Sequence, residues 1–168
     1  MPTRDLTLAM VGSGGDGVVT MGEMMAQAGA RDGLNVIKVE AYGPQIRGGE
    51  SSCTLRMSAE PISAQGDAVD VLVVFNWADF GRFKGEVVPK ADAVILYEAA
   101  DPVPLSEVKI PTATNATWLA VPFAEIATKA AGTKAAKNIV TLGILAELFG
   151  IPPESVREAG EFKFGKKK

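Results

Sequence analysis

The chain has 168 residues, 47% of them hydrophobic and 22% charged, with a formal net charge of -3. That is enough for one globular domain with a real core, and it offers no basic footprint for nucleic acid. There is no histidine and a single cysteine, Cys53, so the chain by itself cannot form an internal disulfide, hold an iron–sulfur cluster, build a His/Cys zinc site or carry a Ser-His-Asp triad. Leu6 to Val11 (LTLAMV) is a short apolar run followed by glycines, the pattern of a buried strand. From Asp16 to Arg31, apolar residues Val18, Met21, Met24, Met25 and Ala28 recur at helical spacing, and Gly33 stands where a helix stops. Leu34 to Glu40 alternates and predicts a second strand. Residues 6–40 therefore read as a Rossmann-like β-loop-α-β unit.

A loop rich in glycine and proline runs from Ala41 to Glu50. Ser51 to Ser58 alternates, with Cys53, Leu55 and Met57 on one face of a half-buried strand. Val69 to Phe75 is nearly all apolar, as parallel strands buried on both faces tend to be, and Asn76-Trp77 ends it. Ala93 to Leu96 and Thr117 to Val121 predict two more strands. Helices are expected at Phe123 to Ala131, after Pro122, and at Ile139 to Phe149, with Gly150 as C-cap. The second of these is apolar nearly all round, which suits burial in its own core or a partner's. Pro152-Pro153 break the pattern, leaving a short polar and basic tail, residues 153–168, with Lys163 and Lys166-Lys167-Lys168 read as solvated. The expected fold is a three-layer α/β domain over residues 1–152 with a mostly parallel sheet. With no signal-peptide pattern and no apolar run near the roughly 18–20 residues that cross a bilayer, a cytoplasmic location is expected.

Gly12-Ser13-Gly14-Gly15-Asp16-Gly17 satisfies G-x-G-x-x-G between a predicted strand and a predicted helix. Glycines there let the backbone turn tightly and approach a phosphate, which the helix N-terminus favours with free N–H groups and its positive dipole end. Three readings stay open on these residues. A dinucleotide (NAD or FAD) site would use Glu40 for the ribose, although the Asp16 carboxylate counts against a pyrophosphate. A purely structural turn needs no ligand. Gly15-Asp16-Gly17 also starts like a thiamine diphosphate motif, but Asn35 is the sole asparagine nearby and has no second asparagine beside it.

The second loop, Tyr42-Gly43-Pro44-Gln45-Ile46-Arg47-Gly48-Gly49-Glu50-Ser51, sets one arginine among three glycines and a proline. In an α/β sheet that end of the strand lies near the first glycine loop, and an arginine fork suits phosphate or carboxylate. The bland alternative is a surface turn with Arg47 paired to Glu50 or Asp16.

Together, G-x-G-G-x-G at Gly12–Gly17 and Y-G-P-Q-x-R-G-G at Tyr42–Gly49 resemble the gamma domain of the pyruvate/2-oxoacid:ferredoxin oxidoreductase family. The likeness continues through Glu50-Ser51-Ser52, Arg56-Met57-Ser58, Pro61-Ile62 and Asn138-Ile139-Val140-Thr141-Leu142-Gly143. What the resemblance implies is a subunit, not an autonomous enzyme. The family joins a 2-oxoacid to CoA, releases CO2 and sends electrons to ferredoxin or a related acceptor. Thiamine diphosphate with Mg, and the iron–sulfur clusters, belong to alpha-, beta- and delta-type partners. By the same resemblance CoA is partly bound here: the Gly12-Ser13-Gly14 backbone and the Ser13 hydroxyl face a CoA phosphate, with Gly15 and Gly17 in the same loop, Arg47 pairs with a phosphate, and Asn138 hydrogen-bonds CoA. No catalytic or metal-binding residue is expected in the chain. Family members often continue through one more helical stretch beyond the point where Pro152-Pro153 interrupt this sequence.

Overall fold

The computed structural model describes residues 5–44, 48–104 and 108–165. Six strands form one sheet: β1 (Asp5–Ser13), β2 (Asn35–Tyr42), β3 (Glu50–Ser58), β4 (Val69–Val74), β5 (Pro89–Glu98) and β6 (Thr117–Val121). Their order is β2-β3-β1-β4-β5-β6. β1, β4, β5 and β6 run parallel, whereas β3 is antiparallel to both β1 and β2. The sheet is therefore mixed and mostly parallel, as the sequence suggests.

The position of β2 differs from a plain Rossmann unit. β2 runs parallel to β1 but does not touch it, because the chain turns back after Tyr42 and lays β3 between them. β3 pairs with β1 from Asp5↔Ser58 to Ser13↔Glu50. The burial pattern explains the choice. β3 buries Cys53, Leu55 and Met57, while β2 exposes Lys38 and Val39 and suits an edge. This antiparallel return brings the start of β3, and with it the second loop, to the carboxyl end of β1.

β1 is buried on both faces, with Leu8, Ala9, Met10 and Val11 all at 0% exposure. Leu8 and Met10 point into a core shared with α1 (Val18–Arg31) and α4 (Lys137–Phe149). Ala9 and Val11 face the opposite core, closed by Trp77, Phe80 and Phe83 of α2 (Trp77–Phe83). α3 (Phe123–Ala131) adds fully buried Phe123 to the first core. Helices on both faces of the sheet make the three layers. Fully buried side chains such as Phe80 and Phe123 each contribute roughly 2–3 kcal/mol of transfer free energy.

Two segments differ from expectation. Asn76-Trp77 does not simply end a strand: Asn76 caps α2, its Oδ1 accepting from the Ala78 and Asp79 amides. The stretch expected as a polar tail is largely a helix, α5 (Pro153–Phe164), with Pro153 in its first turn and Ala159 fully buried. It packs along α1, where Lys163 pairs with Glu23 and Arg31 with Glu158. Its hydrophobic stripe is so thin that burial periodicity could not announce it. Lys166–Lys168 lie outside the described residues. The helix expected at Ile139 to Phe149 buries Leu142, Leu145, Ala146 and Phe149 on one side only; Ile139 and Leu148 are 48% and 45% exposed. No helix among the described residues is long and apolar enough to cross a membrane.

Candidate functional site

The first glycine loop leaves β1 at Ser13 and turns back on itself, with the Asp16 amide donating to the Ser13 carbonyl at 3.0 Å. Gly17 at φ 79° is the N-cap of α1 and lies in the left-handed region that side chains disfavour. No side chain caps α1, and its first turn holds no acidic residue. Its opening amides therefore lack intrahelical acceptors, as at any helix start.

Asp16, which by sequence alone argues against an anionic ligand, is turned inward. Its Oδ2 accepts from the Ser13 amide at 2.8 Å and its Oδ1 pairs with Lys137 Nζ at 2.6 Å. The Lys137 ammonium also stands 5.3 Å from the Phe75 ring centroid. Lys137 opens α4, so this ion pair fastens the start of that helix to the loop. Asn138, the next residue, lies directly against Gly17: a Cβ on Gly17 would fall 2.7 Å from Asn138 Nδ2. The Asn138 Oδ1 accepts from the Ile139 amide at 2.8 Å.

The second loop closes onto the first. The Gly14 amide donates to the Gly49 carbonyl at 2.8 Å, and the Gly43 amide to the Glu50 carbonyl at 2.8 Å. Between the loops lies a cavity of about 300 Å³, lined by Ser13, Gly14, Gly15, Gly17, Val18, Val19 and Thr20 on one side and by Tyr42 and Gly48 to Ser51 on the other. Arg47 lies outside the described residues. Gly12 is buried under the Asp16 side chain and does not line the cavity.

The polar groups of the first loop differ in the partners they already hold. The Ser13 amide is committed to Asp16 and the Gly14 amide to Gly49. The Ser13 hydroxyl donates its proton to Asp79 Oδ2 at 2.5 Å. A serine hydroxyl has one donor, so Ser13 Oγ meets the cavity as an acceptor. Gly15 lines the cavity from the turn, and Gly17 through Thr20 line it from the cap and first turn of α1.

Four charged residues of this constellation were not assigned a site role from sequence: Glu50, Asp79, Arg82 and Lys137. Glu50 is buried at 6% exposure and its Oε1 pairs with Arg82 Nε at 3.0 Å. The signal available for Asp79 and Arg82 was the Asn76 cap followed by Trp77, Phe80 and Phe83 every third residue. That pattern defines a short helix with one apolar face.

The two other sequence readings find different geometry. Glu40 sits on β2, two strands out from β1, so about 10 Å from it in the sheet plane. Lys38 Nζ at 2.6 Å and the Tyr42 hydroxyl at 2.5 Å both donate to Glu40 and hold its carboxyl below the usual carboxylate range, Lys38 first. Asn35 lies at the far end of α1 from Asp16, a helix of 14 residues or about 21 Å. There its amide donates to the Ser58 carbonyl at 3.4 Å, so the thiamine half-motif does not assemble.

Open α/β sheets take their ligands outside the carboxyl ends of their strands, and the cavity between the two loops lies at that end of β1. Residues 7–168 match the family described as pyruvate ferredoxin/flavodoxin oxidoreductase, and the chain belongs to that family. It is similar to the ketoisovalerate oxidoreductase subunit VorA of Methanothermobacter marburgensis, at 35% identity over 167 residues, covering 98% of this chain and 33% of the relative. The 2-oxoglutarate synthase subunit KorC of Archaeoglobus fulgidus is 28% identical over 155 residues, covering 91% of this chain and 75% of its own length. Among solved structures, a 2-oxoglutarate:ferredoxin oxidoreductase from Magnetococcus marinus, with 2-oxoglutarate, coenzyme A and succinyl-CoA bound, superposes at TM-score 0.81 and 30% identity. It is matched over 98% of this chain but 28% of its own. The keto/oxoacid ferredoxin oxidoreductase gamma subunit of Geobacter sulfurreducens shares the fold at TM-score 0.73, 23% identity, 96% of this chain and 88% of its own. The chain thus spans about a third of the length of the VorA relative.

Proposed function

We propose that this chain is the gamma-type subunit of a cytoplasmic 2-oxoacid:acceptor oxidoreductase and that the cavity between its two glycine loops takes part of CoA. The observation that carries this reading is the closure of the second loop onto the first, Gly49 on Gly14, beside the N-terminus of α1, which no side chain caps. A phosphate suits that place because helix-start amides and the dipole both favour negative charge. The relative from Magnetococcus marinus, solved with coenzyme A bound, supports the ligand.

In this reading the phosphate rests on the amides from Gly15 and Gly17 into the first turn of α1, and Arg47 pairs with it from the second loop. Gly12 and Gly14 shape the turn. Ser13 Oγ accepts from a ligand N–H or O–H, and Asn138 orders Gly17 at the helix start. The 2-oxoacid chemistry lies in alpha-, beta- and delta-type partners that hold thiamine diphosphate with Mg and the iron–sulfur clusters and pass electrons to ferredoxin or a related acceptor. Relatives named for ketoisovalerate, 2-oxoglutarate and indolepyruvate all match most of this chain. That spread fits a subunit that serves the shared substrate, CoA, while partners select the 2-oxoacid.

The test is Arg47→Ala in the assembled oxidoreductase. The KM for CoA should rise about tenfold or more, the loss of one charge-assisted contact, while the KM for the 2-oxoacid stays within twofold. Equal loss in both constants sinks the reading.

A further inference from the structure

Helix α2 has no residue among those assigned to the ligand by sequence, yet it touches both loops. Asp79 and Arg82 are three apart on it and so share a face. Asp79 Oδ2 takes the Ser13 hydroxyl at 2.5 Å, on the first loop. Arg82 Nε reaches Glu50 Oε1 at 3.0 Å, at the base of the second. Glu50 in turn folds over the neck of its loop: a Cβ on Gly43 would stand 2.3 Å from the Glu50 carboxyl carbon. The same two residues join through the Gly43 amide and the Glu50 carbonyl.

α2 is itself held rigidly enough to serve as a reference. Trp77, Phe80 and Phe83 are buried, Asn76 caps it, and Asp101 accepts from the Trp77 amide and indole, each at 3.1 Å. Glu50 lines the cavity as a carboxylate that is 6% exposed, and Arg82 is its cation among the described residues. An uncompensated buried carboxylate beside a site for an anion would repel it and would also tend to swing toward water, opening the neck at Gly43.

We propose that α2 sets the spacing of the two ligand loops through Asp79 and Arg82, which act as positioning residues for the anionic ligand; this rests on the CoA reading given above. Arg82, its own side chain 61% exposed, holds Glu50 and offsets part of its charge. Asp79 orients Ser13 Oγ so that its lone pairs, not its proton, face the cavity.

The experiment compares Arg82→Ala, Arg82→Lys and Gly14→Ala with the unaltered chain in the assembled oxidoreductase, measuring the KM for CoA, the KM for the 2-oxoacid and kcat. Amide exchange across residues 43–50 is followed in the same samples. Arg82→Ala should raise the CoA KM about fivefold to twentyfold, leave kcat at saturating CoA and the 2-oxoacid KM within twofold, and speed exchange at the Gly43 amide. Arg82→Lys, which keeps the charge and a donor group, should recover most of both effects. A CoA KM unmoved by Arg82→Ala but raised by Gly14→Ala overturns the role of α2 and leaves the CoA site standing. A CoA KM unmoved by both overturns the CoA reading and the inference with it. Failure of lysine to restore affinity, with kcat reduced and both KM values raised together, identifies a merely structural role and overturns the inference.

Discussion

The amide of Gly14 donates to the carbonyl of Gly49 at 2.8 Å, joining two loops whose sequence positions are 35 apart. The contact is so close that a Cβ on Gly14 would lie 2.7 Å from the Gly48 Cα. Backbone meets backbone there, so no side chain can move aside. Gly14→Ala must separate the loops, at a cost of about 1–3 kcal/mol typical of overpacking. Thermal unfolding should show a modest drop in Tm with the fold kept by circular dichroism. CoA affinity should fall more than the stability loss alone implies. A variant with unchanged Tm and unchanged CoA affinity would show that the loops do not need to touch.

Gly17 and Asn138 supply a second, separable pair. Gly17 holds φ 79°, and a Cβ there meets Asn138 Nδ2 at 2.7 Å and Asn138 Cβ at 3.1 Å. Gly17→Ala therefore carries a left-handed backbone strain of about 1–2 kcal/mol plus a collision. Asn138→Ala removes the amide part of the collision and leaves the strain. Chemical denaturation of the two single variants and the double should show a favourable coupling on the order of 1 kcal/mol. Strict additivity would mean that Asn138 does not lean on Gly17.

Cys53 is fully buried on β3 beneath α1, its thiol against Gly22. Burial first, and then the Glu40 carboxylate, push that thiol from an ordinary 9.0 up to about 12. Below pH 9 the thiol is protonated in folded and unfolded chains alike, and its contribution is fully present. Between pH 9 and about 12 the unfolded chain releases the proton and the folded chain keeps it, so stability is lost as pH rises, at about 1 kcal/mol per pH unit. Subtracting the unfolding free energy of Cys53→Ala from that of the unaltered chain isolates this slope from other alkaline titrations. A flat difference from pH 8 to 11 refutes it. Iodoacetamide should leave the native thiol unmodified over hours at pH 8 and react once the chain is unfolded.

Much of the fold is legible in the sequence where hydrophobic period and caps agree. The strand at Thr117–Val121 and the helix at Phe123–Ala131 form at the expected residues, and Gly150 ends α4 at φ 61°. The order of strands is not legible, because nothing in the alternation of β2 or β3 says which lies next to β1; their relative burial decides it. α2 escapes because seven residues with Gly81 inside them barely make two turns, and α5 because Ala159 is its single buried residue. In the site, both glycine loops and Asn138 are legible and do come together. The partners of Asp16, Glu50 and Ser13 are not, since Lys137, Arg82 and Asp79 arrive from 121, 32 and 66 residues away along the chain. Such pairings depend on tertiary packing that no local pattern encodes.

The Asp16–Lys137 ion pair ties the first glycine loop to the start of α4. Asp16 stands inside the turn that opens α1, where an unpaired carboxylate would oppose an anionic ligand. Lys137 Nζ at 2.6 Å cancels that charge, and both side chains are shielded enough, at 15% and 23% exposure, for the cancellation to survive ordinary salt. Lys137→Met keeps an unbranched apolar side chain at the start of α4 and removes the charge, so CoA affinity should drop about fivefold or more. Asp16→Asn keeps an oxygen for the Ser13 amide while removing the negative charge. Added to Lys137→Met, it should restore most of the affinity, because the site's local charge balance is then recovered without the ion pair. Calorimetric titration of CoA into the assembled oxidoreductase carrying each variant separates the outcomes. Recovery in the double variant identifies the role of Lys137 as electrostatic. No recovery, with Tm falling in both Lys137 variants, would instead assign Lys137 to holding α4 against the loop.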